Sequence, residues 1–252
     1  VAEYLMGEPK TYRTDARLGA TTDTFDAEGD VVNERPVEVS RDAVEQALER
    51  FRGPIQQIPP MYSAVKHRGQ PLYRLARRGV EVEREPREVD IYSLKLISWD
   101  PPRCTLEMTC SSGTYVRALV HDLGQELGCG AYVSGLTRLA SGGFRLEDAV
   151  TLEAFAEAVK EGRWSEILYP VDKALAHRFP ALRLDGDAAR RLCSGLPIRA
   201  TDKGIKCAQL ARAYGPAGRF LALVVYDHAQ GVWCPRKVFV SPYPGPRSGE
   251  SN

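Results

Sequence analysis

Within a single short turn, the spacing of apolar residues between Cys104 and Leu127 changes period. Cys104, Leu106, Met108 and Cys110 alternate with Thr105, Glu107 and Thr109, the two-residue repeat of a strand with one buried face. After Ser111-Ser112-Gly113 the apolar positions become Val116, Leu119, Val120, Leu123 and Leu127, one stripe of a helix, with Gly128 placed to stop it. The stretch therefore predicts a strand, a tight polar turn and a helix.

The same reading orders the rest of the chain. Val1–Met6 has the pattern of the end of a helix with no N-cap before it. Lys10–Leu18 is a strand with Tyr12, Thr14, Ala16 and Leu18 on one face and Thr11, Arg13, Asp15 and Arg17 on the other. Residues 21–30 are rich in turn formers and carboxylates. They lack the spacing and terminal glutamate of a calcium loop, so a hairpin-like connection is expected. Ser40 caps a helix carrying Val44, Ala47, Leu48 and Phe51, which ends at Gly53-Pro54. Residues 55–66 form an extended loop presenting Met61 and Tyr62, and residues 66–78 a short basic helix. Residues 88–99 and 136–144 read as strands. Thr151 caps a helix with Leu152, Phe155, Ala156 and Val159 inward. Beyond a linker at 174–180, short apolar runs at 182–184, 205–210, 220–226 and 233–240 have the cadence of a small β module, interrupted by a helix capped by Asp185. The tail 241–252 is expected to be disordered.

Charge divides the chain more sharply than its net value of +1 implies. Residues 1–177 carry 22 Lys/Arg against 28 Asp/Glu, whereas residues 178–240 carry 11 against 4. So basic a segment is the footprint of a nucleic-acid-binding module, with solubility bias as the plain alternative. No apolar run is long enough to span a bilayer. Six scattered cysteines without a C-x-x-C pair, and four scattered histidines, give no metal-ligand spacing. Free buried thiols in a reducing cytoplasm are the expectation.

Candidate chemistry begins at Tyr115 and Arg117, in the first turn of the central helix. A cation gains nothing from the positive end of a helix dipole, so Arg117 calls for a partner, a carboxylate or a phosphate. A structural salt bridge beside a packed tyrosine would explain the same letters. In residues 66–78, Arg74, Arg77 and Arg78 interleave with Leu72, Tyr73 and Leu75, which suits phosphate contact with base stacking or a solvated amphipathic face.

Together these stretches resemble the tRNA pseudouridine synthase B family. The resemblance is carried by Lys10-Thr11-Tyr12-Arg13, Leu18-Gly19, Thr22-Asp23-Thr24, Asp26-Ala27-Glu28-Gly29 and Phe51-Arg52-Gly53. It continues through the run from Gln57 to Lys66, Gly113-Thr114-Tyr115-Val116-Arg117, Asp122-Leu123-Gly124 and Leu136-Thr137-Arg138-Leu139. They follow the family's order over roughly residues 1–170. The resemblance implies an α+β fold, a mixed, largely antiparallel sheet flanked by helices, followed by a small β-barrel-like PUA-type domain. The expected layout is a catalytic domain over 1–173, a linker at 174–180, an RNA-binding domain over 181–240 and a tail at 241–252.

It also implies a cofactor-free and metal-free isomerisation of the T-loop uridine of tRNA, by a cytoplasmic monomer that binds the T arm and neither DNA nor membrane. Tyr12 would face the uracil, and Arg117 would pair with a nucleophilic aspartate. Tyr115 and Leu136 would wall the pocket, with Tyr62, Lys66 and Arg138 also binding substrate and the segment 57–79 gripping the T loop. The family's aspartate lies in a Gly-x-Leu-Asp-Pro segment upstream of Tyr12, and these 252 residues contain none. The expectation is a chain inactive alone, whose Arg117 recruits water, an anion or another carboxylate, or faces solvent. The alternative is a non-catalytic tRNA-binding or folding protein on the same scaffold.

Overall fold

A computed structural model describes residues 1–199 and 209–239. The chain divides into two compact units, Ala2–Ala149 and Val150–Asn252. The first holds helices α1 (Ala2–Leu5), α2 (Arg41–Glu49), α3 (Leu72–Ala76) and α4 (Val116–Glu126). Its strands are β1 (Lys10–Leu18), β2 (Ala20–Thr22), β3 (Val31–Glu34), β4 (Gly53–Gln57), β5 (Lys66–His67), β6 (Gln70–Pro71), β7 (Arg87–Asp100), β8 (Arg103–Cys110), β9 (Ala131–Ser141) and β10 (Phe144–Arg145).

Six strands form one sheet in the order β10-β9-β1-β8-β7-β4, every neighbouring pair antiparallel. Alternation along β1 and β8 works as the sequence predicts. Thr14, Ala16 and Leu18 are buried beside Cys104, Leu106, Met108 and Cys110, and the helix stripe Val116, Leu119, Val120 and Leu123 covers them. Burying each such aliphatic side chain contributes roughly 1.5–3 kcal/mol. Thr14, a polar residue in this layer, donates its hydroxyl to the Gly135 carbonyl at 3.0 Å, so its burial leaves no orphan group. The opposite face of the sheet is polar, with Arg13 paired to Glu107 and Thr105 donating to Asp15.

Helix α4 lies close to β9 because residue 124 is glycine. A Cβ there would meet the backbone nitrogen of Ala131 at 2.1 Å. Ser40 caps α2 as expected, accepting from the Ala43 N–H at 3.2 Å. Residues 20–34 form the anticipated hairpin, β2 against β3. Cys104, Cys110 and Cys129 are buried free thiols, and burial pushes Cys104 up to about 11.

Two readings of the first unit need correction. Residues 66–78 are not one helix. Lys66-His67 and Gln70-Pro71 pair as a miniature hairpin about Arg68 (φ 48°) and Gly69 (φ 84°), and only Leu72–Ala76 is helical. Left-handed backbone at two consecutive residues and a proline at position 71 stop the helix extending backward. Residues 55–57 are not loop either. They belong to β4, which adds to the sheet edge at β7.

The second unit contains α5 (Leu152–Lys160), α6 (Trp164–Ile167), α7 (Val171–Ala174) and α8 (Gly186–Cys193), with strands β11 (Ala181–Arg183), β12 (Leu210–Tyr214), β13 (Phe220–Asp227) and β14 (Val232–Val238). The strands form one sheet in sequence order, parallel between β11 and β12 and antiparallel elsewhere. Among the described residues they do not close into a barrel. Leu182, Leu192, Ala211, Ala222, Val224 and Trp233 form their core. Thr151 and Asp185 cap α5 and α8 as predicted. The inward stripe assigned to α5 is wrong, because Leu152 is 82% exposed, Ala156 and Val159 are also exposed, and Ala158 is the buried residue. Four-residue spacing marks an apolar stripe but not what covers it. Cys207, most of the run at 205–210 and the tail 241–252 lie outside the described residues. No described helix is long and apolar enough to cross a membrane.

Gly124→Ala is expected to destabilise the protein by roughly 1–3 kcal/mol or more, since backbone must move to admit the methyl group. Gly128→Ala, at φ 78° with open space around it, should cost only about 1 kcal/mol. Thermal unfolding of the two variants measures the difference.

Candidate active site

The head of α4 is built by three segments meeting at one turn. Gly113 (φ 92°) reverses the chain after β8, and Thr114 Oγ1 donates to the Ser111 carbonyl at 2.9 Å. Tyr115 stands at the N-cap, where no side chain of its own closes the helix. Gln57, at the end of β4, closes it instead. Its Oε1 accepts from the Tyr115 N–H at 2.7 Å and its Nε2 donates to the Tyr115 carbonyl at 3.0 Å. Gln57 is buried, so this reciprocal pair satisfies an amide that would otherwise be costly.

Arg117 projects from the first turn and ties two loops together. Its Nη1 donates to Asp26 Oδ2 at 2.6 Å and to the Thr24 carbonyl at 3.3 Å, and its Nη2 donates to the Tyr62 carbonyl at 2.8 Å. The arginine and aspartate side chains are only 25% and 20% exposed. Burial works against the charged form of Asp26. Hydrogen bonds from Thr24 Oγ1, Arg117 and the Glu28 N–H, with the charge of Arg117, outweigh it and hold the carboxyl below its usual range. Arg117 thus takes another carboxylate as its partner, one of the outcomes expected from the sequence. Its Nε–H and one Nη2–H remain uncommitted among the described residues.

Tyr12 lies on the sheet face that α4 covers, packed against the cluster that includes Val116. Strand register puts Arg138 opposite Tyr12 and Leu136 opposite Thr14, so all three project from the same face. Leu136, 47% exposed, and Arg138 stand toward solvent. Tyr62 is half-buried, and its backbone rather than its ring meets Arg117. Lys66 is exposed in β5. A cavity of about 310 Å³ opens between the 21–30 loop and the segment 61–84, lined by Asp23, Phe25, Met61, Tyr62, Ala76, Gly79, Val80, Glu81 and Arg84. A larger hollow of about 480 Å³ lies on the opposite, polar face of the sheet among Asp15, Arg17, Asp100 and Arg103, and shares no residue with this arrangement. Among the described residues no cluster of His, Cys, Asp and Glu could hold a metal ion.

Sequence reasoning named Asp26 only as part of a matching stretch, and Gln57 likewise. Their roles come from long-range pairing, which spacing along the chain does not reveal. Asp122 was also named only within a match. It is half-buried in α4, and desolvation alone raises its carboxyl to about 6.

Known proteins resemble this chain over most of its length. The family model described as TruB family pseudouridylate synthase, N-terminal domain, matches residues 1–116, and that for the tRNA pseudouridylate synthase B C-terminal domain matches residues 117–176. The chain is 50% identical over 204 residues to a tRNA pseudouridine synthase B of Pseudomonas aeruginosa, covering 80% of this chain and 67% of that protein. It is 42% identical over 243 residues to one of Dehalococcoides mccartyi, covering 96% and 80%. Among solved structures it is similar to a chain of a Cbf5-Nop10-Gar1 complex, with a TM-score of 0.67 and 22% identity over 95% of this chain and 69% of that one. A likeness at that identity speaks for the fold alone.

The raised Asp122 carboxyl has a measurable sign. An unfolded aspartate ionises near 3.8, and the folded one near 6. Ionisation therefore costs folding free energy that grows as pH rises from about 4 to about 6 and persists above. Asp122→Asn should raise Tm at pH 8 and leave it unchanged near pH 3, as read by thermal unfolding across that range.

Proposed function

The chain belongs to the TruB family of pseudouridylate synthases, and on that footing we propose that its site isomerises uridine-55 in the T loop of tRNA to pseudouridine. The observation that carries this reading is the partly buried Arg117–Asp26 ion pair at the head of α4, the helix that covers the sheet face bearing Tyr12. The target nucleotide leaves the loop and enters the site, and stacking offsets a few kcal/mol of lost base interactions. The C1′–N1 bond breaks with its electron pair passing to the uracil. The base turns while held, C5 joins C1′, the C5 proton passes to a base in the site, and N1 takes up one proton. Substrate and product are then isomers, and no oxidant, reductant or cofactor is needed.

Tyr12 lies against the uracil face, and its phenol is placed to assist departure of the C5 proton. Tyr115 and Leu136 wall the pocket, and Tyr62, Lys66 and Arg138 contact the T arm. Arg117 orients a nucleophilic aspartate through Nε–H and its spare Nη2–H, a bidentate arrangement that guanidinium geometry favours. Asp26 holds the other side of the same guanidinium. The aspartate itself must come from a Gly-x-Leu-Asp-Pro segment, absent from these 252 residues. A second reading is a non-catalytic tRNA-binding or folding protein on the same scaffold.

Residues 181–240 serve as a PUA-type RNA-binding module, through the excess of basic residues over 178–240, for a monomer acting in the cytoplasm. Its arginines divide into two kinds. Arg212 is engaged internally through Nε and Nη1. Its Nε donates to the Phe179 carbonyl at 2.8 Å, and its Nη1 to the Asp172 carbonyl at 3.0 Å and Tyr214 Oη at 2.7 Å. Arg190 and Arg191 sit on the exposed face of α8, near Asp187 and the Pro197 carbonyl.

Two experiments test this assignment. A chimera carrying the Gly-x-Leu-Asp-Pro segment of a curated relative ahead of Val1 should release tritium from [5-³H]uridine-labelled tRNA, and Arg117→Ala in it should not. A silent chimera that still binds tRNA would favour the non-catalytic reading, and turnover by the 252-residue chain alone would show the nucleophile to be misplaced. Separately, Arg190→Ala and Arg191→Ala should each reduce the salt slope of tRNA binding by about 1. Arg212→Ala should lower Tm without flattening that slope. An unchanged slope in the first two would assign those charges to solubility.

A further inference from the structure

Helix α4 holds the 21–30 loop by two side chains one turn apart, and only one of them is Arg117. The other is His121. Its imidazole lies flat on the Phe25 ring, with centroids 3.8 Å apart and planes 17° from parallel. Phe25 stands between Thr24 and Asp26, the two residues whose oxygens accept from Arg117 Nη1. Its backbone is in the left-handed region, φ 65°, a conformation that aromatic residues rarely adopt. Such a conformation persists where its surroundings over-determine it. The Phe25 N–H donates to the Thr22 carbonyl at 3.2 Å, its carbonyl accepts from the Val133 N–H at 3.0 Å, and its ring is held by His121.

We infer that His121 is a positioning residue for Arg117, acting through the Phe25 ring to fix the turn that presents Asp26 to the guanidinium. The chemistry of the imidazole points the same way. Its Nδ1 is buried with no hydrogen-bond partner, and the side chain makes no hydrogen bond among the described residues. A histidine present for proton transfer or metal binding would have its second nitrogen oriented by a partner. This one offers its flat face. The distance along the helix is also right, since residues 117 and 121 are neighbours on one helix face. Asp26 therefore has two supports on α4, an ion pair to itself and a ring stacked on the residue before it. If the ring is lost, the left-handed turn relaxes and the carboxylate no longer meets Arg117 in the same place.

The inference rests on the reading of Arg117 as a group of the active site, and its test separates the two. In the chimera described above, His121→Ala and His121→Leu, which remove the flat ring, should each lower kcat by roughly 10- to 100-fold with KM for tRNA nearly unchanged. His121→Phe, which keeps a flat ring and removes an unsatisfied nitrogen, should restore the parental kcat. Phe25→Ala should resemble His121→Ala, and the double variant should be no worse than either alone, because both remove one contact. In the 252-residue chain, which needs no turnover, amide hydrogen exchange over residues 23–28 should quicken in His121→Ala and His121→Leu but not in His121→Phe, while β1 and β8 stay protected. A parental kcat in His121→Leu, or additive losses in the double variant, would overturn the inference. So would a His121→Phe chimera as slow as His121→Ala, since that would assign the imidazole a chemical role. Should the parent chimera release no tritium, the functional reading fails, and the exchange measurement alone decides whether His121 holds the turn.

Discussion

A guanidinium at the positive end of a helix is the constraint that arranges the first unit. The dipole of α4 repels Arg117, and burial to one quarter exposure denies it full hydration. Only acceptors brought from elsewhere can make the position tolerable. Three arrive, namely the Asp26 carboxylate and the Thr24 carbonyl from one loop and the Tyr62 carbonyl from another. Both loops lie outside the sheet's strands, and the arginine ties them to one turn of α4. A structural salt bridge would be satisfied by the carboxylate alone. Recruiting two backbone carbonyls as well fixes the direction of the guanidinium.

Gln57 repeats this logic with a neutral side chain. It closes the helix terminus that Tyr115 leaves open and does so from the last residue of an edge strand. The chain then leaves the sheet directly into the loop whose Tyr62 carbonyl accepts from Arg117. The segment after β4 is thus anchored at both ends of a six-residue span to one turn of one helix. That anchoring explains why residues with two consecutive prolines, which cannot form a ladder or a helix of their own, still follow a defined path.

The parts of this arrangement that sequence makes legible are those whose cause is local. Ser40, Thr151 and Asp185 each cap a helix because a short side chain reaches an N–H three residues on, and the alternation of β1 and β8 is a property of the pleat. Residues 66–78 defeated the same reasoning, since Leu72, Tyr73 and Leu75 keep helical spacing while Arg68 and Gly69 take left-handed backbone that arginine rarely signals. The α5 stripe failed for another reason, because periodicity says which residues share a face and nothing about a neighbour. The internal bonds of Arg212 to Phe179, Asp172 and Tyr214 are likewise invisible to a count of charges. Asp26, Gln57 and the Phe25–His121 stack join residues 58 to 96 positions apart, and no spacing rule spans that distance.

Geometry at Arg117 also bears on what its carboxylate partner can be. Asp26 engages Nη1, and Nε–H and one Nη2–H have no partner among the described residues. A second carboxylate received there would share one cation with Asp26. Like charges sharing a cation raise each other's affinity for protons. Burial opposes the charge on Asp26, and the hydrogen bonds from Thr24, Arg117 and the Glu28 N–H, with the charge of Arg117, together hold it ionised. Held also by the Thr24 hydroxyl and the Glu28 N–H, the Asp26 carboxylate fixes the guanidinium from one side without depending on Arg117 for all its hydrogen bonds.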